Sequence, residues 1–481
     1  MSIIAGYLLP HAPVFIKEVG GGQTDQVKNT INTYRKIAME IEQIAPDLII
    51  IISPHGPIFS DAIAVYDLDN YTGNMRSFGE YTLEYSAYKD KQFILNLIDE
   101  SNCQVGYFYA LNSNEFLKFQ QEPSLDHGIT VPLHFIQERI KKINLLAMSY
   151  GSLSYMELLL NGEILKSTIE KSGKRVVVIA SGDMSHALSS KGPYNFHPDG
   201  IWFDQKMKEN IDEQKPYNIF TEDENRISNA AECGLRSYAI LMGALNGLEI
   251  ESNVYSYEGP FGVGYLIAKF IPIGISKNNQ IEQLKSALNI NLEKQRLNAH
   301  VFVQLARVMI EHYVHEHVAA KWQYSKGKVT INDMVYLVDG YDQLLSEAHG
   351  TFVSIKKNGI LRGCIGTISP TEKSTLVEIL KNAISACSKD YRFEPIAPGE
   401  LAQLTISVDI LSDLEEVLNI KDLNPAVFGI IVYSKGRKGV LLPNLEGVST
   451  TEQQLQIASN KGGFTVDEID HIDSFTVERF F

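Results

Sequence analysis

The sequence predicts two domains: an α/β N-terminal domain with a mostly parallel sheet flanked by helices, and an α+β C-terminal domain. The first is indicated by near-continuous apolar runs, which are typical of parallel strands covered on both faces. These runs are Ile3 to Leu9, Leu48 to Ile52, Leu145 to Met148 and Val176 to Ala180. Segments with helical spacing separate them, such as Thr30 to Ile44 and Tyr155 to Ser172. Strands that alternate with helices in this way predict an α/β sheet.

The first domain is predicted to span residues 1–275. Its last part, Asn253 to Phe270, is aromatic and β-branched around a Gly-Pro turn, which indicates a closing strand pair. The polar stretch from Ser276 to about Glu293 is interpreted as a linker with a short helix. The second domain, residues 290–481, begins with a helix from His300 to His317 and continues with short β-like segments and one more helix. That mixture predicts an α+β domain.

Composition and charge exclude several classes of protein. The chain has 481 residues, more than one hydrophobic core usually organises, and 58 acidic against 43 basic residues give a net charge of -15. This charge disfavours binding to nucleic acid or to an anionic membrane. No run reaches the roughly 18 apolar residues that a membrane helix needs. The four cysteines are widely spaced, so we expect a soluble, cytoplasmic protein without disulfides.

Three predicted strands run directly into a histidine. These residues are His11, His55 and His186, and Pro and Gly shape the turns around the first two. The loops beyond the carboxyl ends of strands are where open α/β sheets collect functional groups. Neutral imidazole is the commonest protein ligand for iron and zinc, and two such loops can hold two imidazoles at a fixed separation. The pattern predicts a metal site.

A third ligand is expected, because a mononuclear iron that must also bind substrate typically uses two histidines and one carboxylate. Glu232 lies near the start of the predicted helical stretch Tyr238 to Leu245 and is the preferred candidate. Cys233, its neighbour, is the alternative. A third interpretation is that Glu232 only favours a helix N-terminus electrostatically.

Five short motifs carry a family resemblance over residues 1–272. They are LPHAP (9–13), SPHGP (53–57), LDHGITVPL (125–133), SGDMSH (181–186) and ECGLRS (232–237). In this order they resemble the class III extradiol dioxygenases, the LigB-like superfamily, and its Memo branch. The resemblance implies that His11 and His55 bind the metal, that His186 is the catalytic acid/base residue and that His127 lies at the substrate edge of the pocket. Fe(II) is the expected metal, with Zn or Cu as alternatives, and the expected substrate is a small aromatic or chelating molecule.

The two branches of this superfamily differ in the residue expected as the third metal ligand. Ring-cleaving members use a carboxylate, whereas Memo proteins are similar around a Cys-Gly pair that matches Cys233 and Gly234. A thiolate would favour softer or more oxidised metal chemistry, make copper competitive and weaken the case for ring cleavage. Both Glu232 and Cys233 therefore stay open as ligands.

The C-terminal half carries a second resemblance. NGILRGCIG (358–366), DYRF (390–393) and GVLLP (439–443) resemble the AMMECR domain. A Memo-like domain fused to an AMMECR domain is similar to the AmmeMemoRadiSam systems, which implies a radical-SAM protein as a partner. Arg362 and Cys364 can form a binding cleft, or the glycines around them can serve only a tight strand crossing. Oligomeric state is left open.

Overall fold

The computed structural model describes the chain except Met1, Asp339, Asn358, 444–447 and Ser449, and except the side chains of Leu344 and Ile360. Asn358 opens the NGILRGCIG motif, so that position lies outside the described residues. The chain divides into two compact units, Met1–Leu288 and Asn289–Phe481. No helix among the described residues is long and apolar enough to cross a membrane.

The N-terminal unit alternates strands and helices, as its apolar runs predict. Its strands are β1 (Ile3–Leu9), β2 (Leu48–Ser53), β3 (Ile63–Asp67), β4 (Tyr71–Met75), β5 (Glu80–Lys89), β6 (Phe108–Asn112), β7 (Asn144–Ser149), β8 (Val176–Ser181), β9 (Leu248–Glu258) and β10 (Tyr265–Ile275). Its helices are α1 (Lys17–Gly20), α2 (Lys28–Ile44), α3 (Lys91–Cys103), α4 (Ser113–Lys118), α5 (His127–Gln137), α6 (Tyr155–Ser172), α7 (Pro198–Asp212), α8 (Glu224–Asn229) and α9 (Leu235–Ala244). Helix α10 (Gln280–Leu297) begins in this unit and continues past its last residue, Leu288.

These strands form one sheet in the order β4-β5-β7-β2-β8-β1-β10-β9, and β3 and β6 pair beside β7. Strands β5, β7, β2, β8 and β1 run parallel to one another, whereas β10 is antiparallel to β1. The predicted α/β class with a mostly parallel sheet is therefore confirmed. Helices cover both faces, because Ile50 of β2 packs into a core with α6 and α9, while its neighbour Ile51 packs into a second core with α2 and α5.

The carboxyl ends of four central strands lie level at one edge of the sheet. Leu9 of β1 pairs with Ser181 of β8, and Ser53 of β2 pairs with Ser149 of β7. Parallel strands in register deliver their following loops to the same place. The residues that follow β1, β2, β7 and β8 are thus neighbours in space.

Helix α10 differs from the expected polar linker. It is 18 residues long, and Ile281 and Leu284 on one face pack against the core of the N-terminal unit, with Leu288 partly buried beside them. Apolar residues three and four positions apart form one helix face. The sequence around them is polar enough to hide this short apolar stripe.

The C-terminal unit is built from small antiparallel sheets and helices, which confirms the α+β class. Its strands are β11 (Trp322–Ser325), β12 (Lys328–Ile331), β13 (Met334–Leu337), β14 (Thr351–Lys357), β15 (Ile360–Thr367), β16 (Leu404–Leu411), β17 (Glu415–Glu416), β18 (Gly429–Ser434), β19 (Arg437–Leu441), β20 (His471–Phe475) and β21 (Val477–Phe480). Its helices are α11 (Val301–Glu316), α12 (Asp342–Ser346), α13 (Thr375–Ser388) and α14 (Thr451–Gly462). The sheets have the orders β11-β12-β13, β15-β14-β16-β21 and β17-β20-β18-β19.

Candidate metal centre

The loop after β1 presents His11 as a neutral imidazole. Its Nδ1 lies 3.1 Å from Ser181 Oγ, which itself donates a hydrogen bond of 2.5 Å to the carbonyl of Gly128. Because that hydroxyl proton is used, Ser181 Oγ accepts from His11 Nδ1–H, and the lone pair of His11 Nε2 stays free for a ligand. Burial, followed by the nearby His55, holds the pKa of His11 well below its usual value.

His55 enters from the neighbouring strand β2 and meets His11 edge to face. The two Nε2 atoms lie 2.7 Å apart, and the ring planes cross at 88°. A side chain at Gly56 would collide with the hydroxyl of Tyr66, so this turn requires glycine. His55 is open to solvent on one side. Partial burial of the ring, followed by the nearby His127, lowers the pKa of His55 to about 4.

Cys233 completes the group. Its Sγ lies 3.7 Å from His11 Nε2 and accepts a hydrogen bond of 3.3 Å from the backbone N–H of Asp183. The ligand atoms of His11, His55 and Cys233 all lie within 4.8 Å of one another, which one ion can span. Burial, followed by Asp183, raises the pKa of the Cys233 thiol well above its usual value, so a bound cation is what would stabilise the thiolate. We call these three residues the His-His-Cys cluster.

Close backbone packing brings Cys233 to the end of β8. A Cβ on Gly182 would lie only 2.1 Å from the Cα of Gly234, so the two loops meet glycine against glycine. Just before Cys233, Ala231 adopts a left-handed backbone with φ of 51°. Such a conformation is unfavourable for residues other than glycine and concentrates at functional sites.

Glu232 does not join the cluster. Its Oε2 accepts a hydrogen bond of 2.6 Å from the backbone N–H of Leu235, at the start of α9. The carboxylate therefore satisfies a helix N-terminus, which is the third of the interpretations of its sequence position. Of the two adjacent candidates, the structure brings Cys233 to the histidines and leaves the preferred one, Glu232, at the helix.

His186 lies beside the cluster with one nitrogen fixed and the other available. Its Nδ1 is 2.6 Å from the carbonyl oxygen of Ala231 and donates to it, so Nε2 carries the lone pair. That Nε2 is 3.9 Å from Oδ2 of Asp183. Burial raises the pKa of Asp183 to about 6, while His186 opposes the shift.

Asp183 was missed by the sequence analysis, although it lies inside the SGDMSH motif. It touches three parts of the site: its Oδ1 accepts the backbone N–H of His11 at 2.8 Å, its own N–H reaches Cys233, and its carboxylate faces His186. The available signal was an acidic residue directly after a buried strand, three positions before a histidine. Asp183 therefore links the loop that carries His11 to the loop that carries Cys233 by hydrogen bonds.

His127 forms one wall of the site. Its ring stacks on His55 with centroids 3.8 Å apart and an angle of 28° between planes. It is the first residue of α5, whose N-terminus is capped by Asp126, and Asp126 also accepts hydrogen bonds from Ser53 at 2.5 Å and Tyr66 at 2.9 Å. Burial lowers the pKa of His127 to about 4, so this ring is neutral too.

In the C-terminal unit, the LRGCIG motif (361–366) is held by paired charges. Arg362 binds Glu400 through two nitrogens, with Nε–Oε1 at 3.0 Å and Nη2–Oε2 at 2.9 Å. The backbone N–H of Cys364 donates to Asp390 at 2.8 Å, and Asp390 also accepts from Arg392 at 2.6 Å. The thiol of Cys364 accepts from Ser354 at 3.3 Å.

Both units match known protein families. Residues 5–268 match the family described as the catalytic LigB subunit of aromatic ring-opening dioxygenase. The chain belongs to the LigB family. Residues 303–480 match the AMMECR1 family, so the predicted fusion of a LigB-like domain to an AMMECR domain is confirmed. LigB proteins use a metal, typically iron, and among the described residues the His-His-Cys cluster offers ligands for one.

Relatives of this LigB protein include CA_C1420 from Clostridium acetobutylicum, which is 33% identical over 482 residues, covering 100% of this chain and 98% of that protein. A Thermotoga maritima protein is 45% identical over 141 residues, which are 29% of this chain and 81% of that protein. Among solved structures, Pyrococcus horikoshii PH0010 has a TM-score of 0.32 and 24% identity, covering 37% of this chain and 88% of that one. Escherichia coli JW3007 has a TM-score of 0.38 and 14% identity, covering 55% and 99%.

Proposed function

We propose that the N-terminal unit is a metal-dependent oxidoreductase that holds Fe(II) between His11, His55 and Cys233. The observation that carries this proposal is the convergence of two imidazole Nε2 atoms, 2.7 Å apart, with a thiol sulfur within 4.8 Å of both. Three protein ligands on one side of an ion leave other positions open for a substrate. The LigB family match supports the same choice, because its members use a metal, typically iron.

Zn and Cu are the alternatives to iron. A thiolate is a softer ligand than a carboxylate, so Cys233 makes copper a stronger competitor than it would be at a site with two histidines and a carboxylate. Zinc accepts the same nitrogen and sulfur donors. The choice among the three metals decides whether the reaction is an oxidation, because zinc has no redox chemistry.

The substrate that we propose is a small aromatic or otherwise chelating molecule, such as a catechol. When bound, the metal supplies Lewis acidity to the substrate oxygens and redox chemistry. Ring opening with dioxygen is the specific reaction: dioxygen is the oxidant, both of its atoms enter the product, and a ring carbon–carbon bond next to a hydroxyl-bearing carbon breaks. A related oxidation of a chelating substrate is the alternative.

His186 is the acid/base residue in this proposal. Its Nδ1–H is engaged by the Ala231 carbonyl, which leaves Nε2 to take a proton from a substrate hydroxyl. The side chain is 18% exposed, so the imidazole is sheltered from bulk water but reachable. His127, stacked on His55, offers a flat face at the substrate edge of the pocket.

A second function is favoured by the thiol at the third ligand position. Memo-like proteins are similar in having a cysteine there, and the chain also carries an AMMECR1 domain. In this alternative the protein is a metal-binding scaffold that works with a radical-SAM enzyme and does not itself turn over a substrate. Steady oxidation of catechol by the iron-loaded protein alone would favour the enzyme.

Metal analysis after anaerobic purification and Fe(II) titration tests the site. We expect His11→Ala and Cys233→Ser to weaken Fe(II) binding by more than about 100-fold, because changes in residues that only support a ligand already cost 10–100-fold. Glu232→Gln and the control His315→Ala, at an exposed histidine of the C-terminal unit, should bind as the wild type does. Loss of metal in Glu232→Gln with retention in Cys233→Ser would make Glu232 the third ligand.

A further inference from the structure

A cavity of about 540 Å³ lies in the N-terminal unit, where β6 pairs with β3. The described residues that line it include neither a member of the His-His-Cys cluster nor His127 or His186. Five of them are aromatic: Phe59, Tyr107, Phe108, Tyr109 and Phe119. The volume is within the range of about 300–1,000 Å³ that is usual for small-molecule sites. This space, which we call the aromatic cavity, is therefore large enough for a small organic ligand.

Close backbone packing gives the aromatic cavity its shape. A Cβ on Gly106, which lines it, would lie 2.6 Å from Ser101 Oγ, so the end of α3 and the chain entering β6 meet without a side chain between them. A Cβ on Gly151 would lie 2.4 Å from the carbonyl oxygen of Ala62, another lining residue. Val105, directly before Gly106, has φ of 55°, a conformation that is unfavourable for a β-branched residue and concentrates at functional sites. The cavity is thus formed by the fold itself.

The rings of the aromatic cavity leave apolar surface uncovered. Phe59 and Phe119 meet edge to face, with ring centroids 4.9 Å apart. Phe119 is 52% exposed and Tyr109 is 49% exposed, and apolar surface left in water costs free energy. Exposed apolar surface around a concavity is typical of a site that binds a ligand. A ligand with a flat apolar body would cover these rings.

One charged residue of the lining has no partner. Glu115 accepts hydrogen bonds from the Tyr109 hydroxyl at 2.6 Å and from the backbone N–H of Asn112 at 2.9 Å. These two bonds, and then the charge of Lys118, lower the pKa of Glu115, so its ionised carboxylate is already satisfied within the protein. In the part of the chain that the structure describes, no group donates a hydrogen bond to Asp61 or pairs with its charge. The cavity therefore has one uncompensated carboxylate beside its rings.

We propose that the aromatic cavity binds a small aromatic amine in its ammonium form. The rings hold the flat body of the ligand, and the carboxylate of Asp61 accepts a hydrogen bond from the ammonium group. Aromatic faces attract cations because their π electrons carry partial negative charge, so the same rings favour an ammonium over a neutral group. A carboxylate on the ligand would be repelled by Asp61. This binding site goes beyond the oxidoreductase proposed above and needs no metal.

The test uses three ligands that share a phenyl group and differ in charge: 2-phenylethylamine, 2-phenylethanol and 3-phenylpropanoate. Each is titrated by calorimetry into the metal-free full chain at pH 7, where an aliphatic amine is protonated. We expect the amine to bind at least ~10-fold more tightly than the alcohol, because it adds a charged hydrogen bond and a cation–π contact. The carboxylate should bind most weakly. Saturation with Fe(II) should leave the affinity for the amine unchanged.

Two variants and two matched controls locate the binding. Asp61→Asn should remove most of the preference for the amine over the alcohol, and Phe119→Leu, which keeps an apolar side chain but removes a ring, should weaken the amine about 3-fold or more. The controls are Asp212→Asn, at an exposed carboxylate of α7, and Tyr81→Leu, at a ring that is 71% exposed and does not line the cavity. Both controls should bind the amine as the wild type does. Circular dichroism checks that every variant is folded.

Several results would overturn the inference. They are equal affinities for the amine and the alcohol, an unchanged preference in Asp61→Asn, and a wild-type protein that binds none of the three ligands. Amine binding that requires iron would place the ligand at the metal centre instead. A control variant that weakens the amine as much as Phe119→Leu does would place the ligand elsewhere on the N-terminal unit.

Discussion

The His-His-Cys cluster of the N-terminal unit and the LRGCIG motif of the C-terminal unit differ in the contacts that their polar side chains make. In the cluster, the Nε2 atoms of His11 and His55 lie 2.7 Å apart beside the Cys233 sulfur, so three atoms of the kinds that bind metals converge. In the motif, Arg362 pairs with Glu400 through two hydrogen bonds. Imidazole and thiol groups that converge in this way can hold a metal ion, whereas a cation and an anion that pair with each other indicate a structural role. The two groups of motifs are equally conspicuous in the sequence. Only the structure shows that one brings metal-binding atoms together and that the other pairs opposite charges.

The largest expected difference between the two regions concerns turnover. We expect His186→Ala to lower the oxidation of catechol by the iron-loaded protein about 10² to 10⁴-fold, because general acid/base catalysis typically contributes that much. Iron content should stay near the wild-type level, since His186 is outside the cluster. Cys364→Ala, in the LRGCIG motif, should leave the rate unchanged. A slow Cys364→Ala protein would show that Cys364 takes part in turnover and is not only structural.

The second test uses metal as a stabilising ligand. A ligand that binds only the folded chain stabilises it by about 2.7 kcal/mol at 100 times its dissociation constant. We expect Fe(II) to raise the melting temperature of the wild type under anaerobic conditions and to have no such effect on Cys233→Ser. Arg362→Gln should begin from a lower melting temperature but respond to iron as the wild type does. An equal response in all three proteins would place the metal elsewhere.

The third test concerns the paired charges of the C-terminal unit. Burial raises the pKa of Glu400, but hydrogen bonds from Arg362, the Ala397 N–H and Lys357 together outweigh burial and hold that pKa at about 2, below its ordinary 4.5. The unfolded chain therefore binds a proton between pH 4.5 and about 2 that the native chain does not, so this contribution is lost as pH falls through that window. Glu400→Gln should cost about 1–2 kcal/mol at neutral pH, and much less at low pH. Hydrogen exchange resolved by peptide measures this in the C-terminal unit alone.

Asp204 of the N-terminal unit should behave with the opposite sign. Burial raises its pKa to about 7, although Ser185 N–H and the Tyr257 hydroxyl both donate to it. The native chain thus holds a proton between its ordinary pKa of 3.8 and about 7 that the unfolded chain releases. The resulting stability is full below 3.8 and is lost as pH rises to about 7. Asp204→Asn should flatten this dependence, and a steeper one would contradict the assignment.

Sequence alone accounts for the sheet and for part of the site. The runs of β1, β2, β7 and β8 predict strands buried on both faces, and the turns after them place His11, His55 and His186 at one edge. The choice between Glu232 and Cys233 depends on backbone direction at the loop before α9. That direction follows from the contact of Gly234 with Gly182, some fifty positions earlier, which local spacing does not encode. The apolar face of α10 was also not predicted, because Ile281 and Leu284 are buried by distant residues and stand in an otherwise polar segment.

The smallest expected effect tests whether backbone strain is stored at the cluster. Ala231 has φ of 51°, a conformation that costs an L residue about 1–2 kcal/mol and glycine almost nothing. Glycine also adds freedom to the unfolded chain, which offsets about 0.5–1 kcal/mol of the gain. Ala231→Gly should therefore be as stable as the wild type or up to about 1 kcal/mol more stable in urea unfolding.

Its neighbour Ala230 is the control, because it has an ordinary helical backbone with φ of -71° and a fully buried methyl group. Ala230→Gly gains nothing from the change of φ and loses both chain rigidity and apolar burial, so it should be about 1–2 kcal/mol less stable. Opposite signs at adjacent alanines would locate the strain at Ala231, whose carbonyl holds His186 in place. If both variants are destabilised equally, the left-handed turn before Cys233 stores no strain, and the position of His186 has to be explained by its hydrogen bond alone.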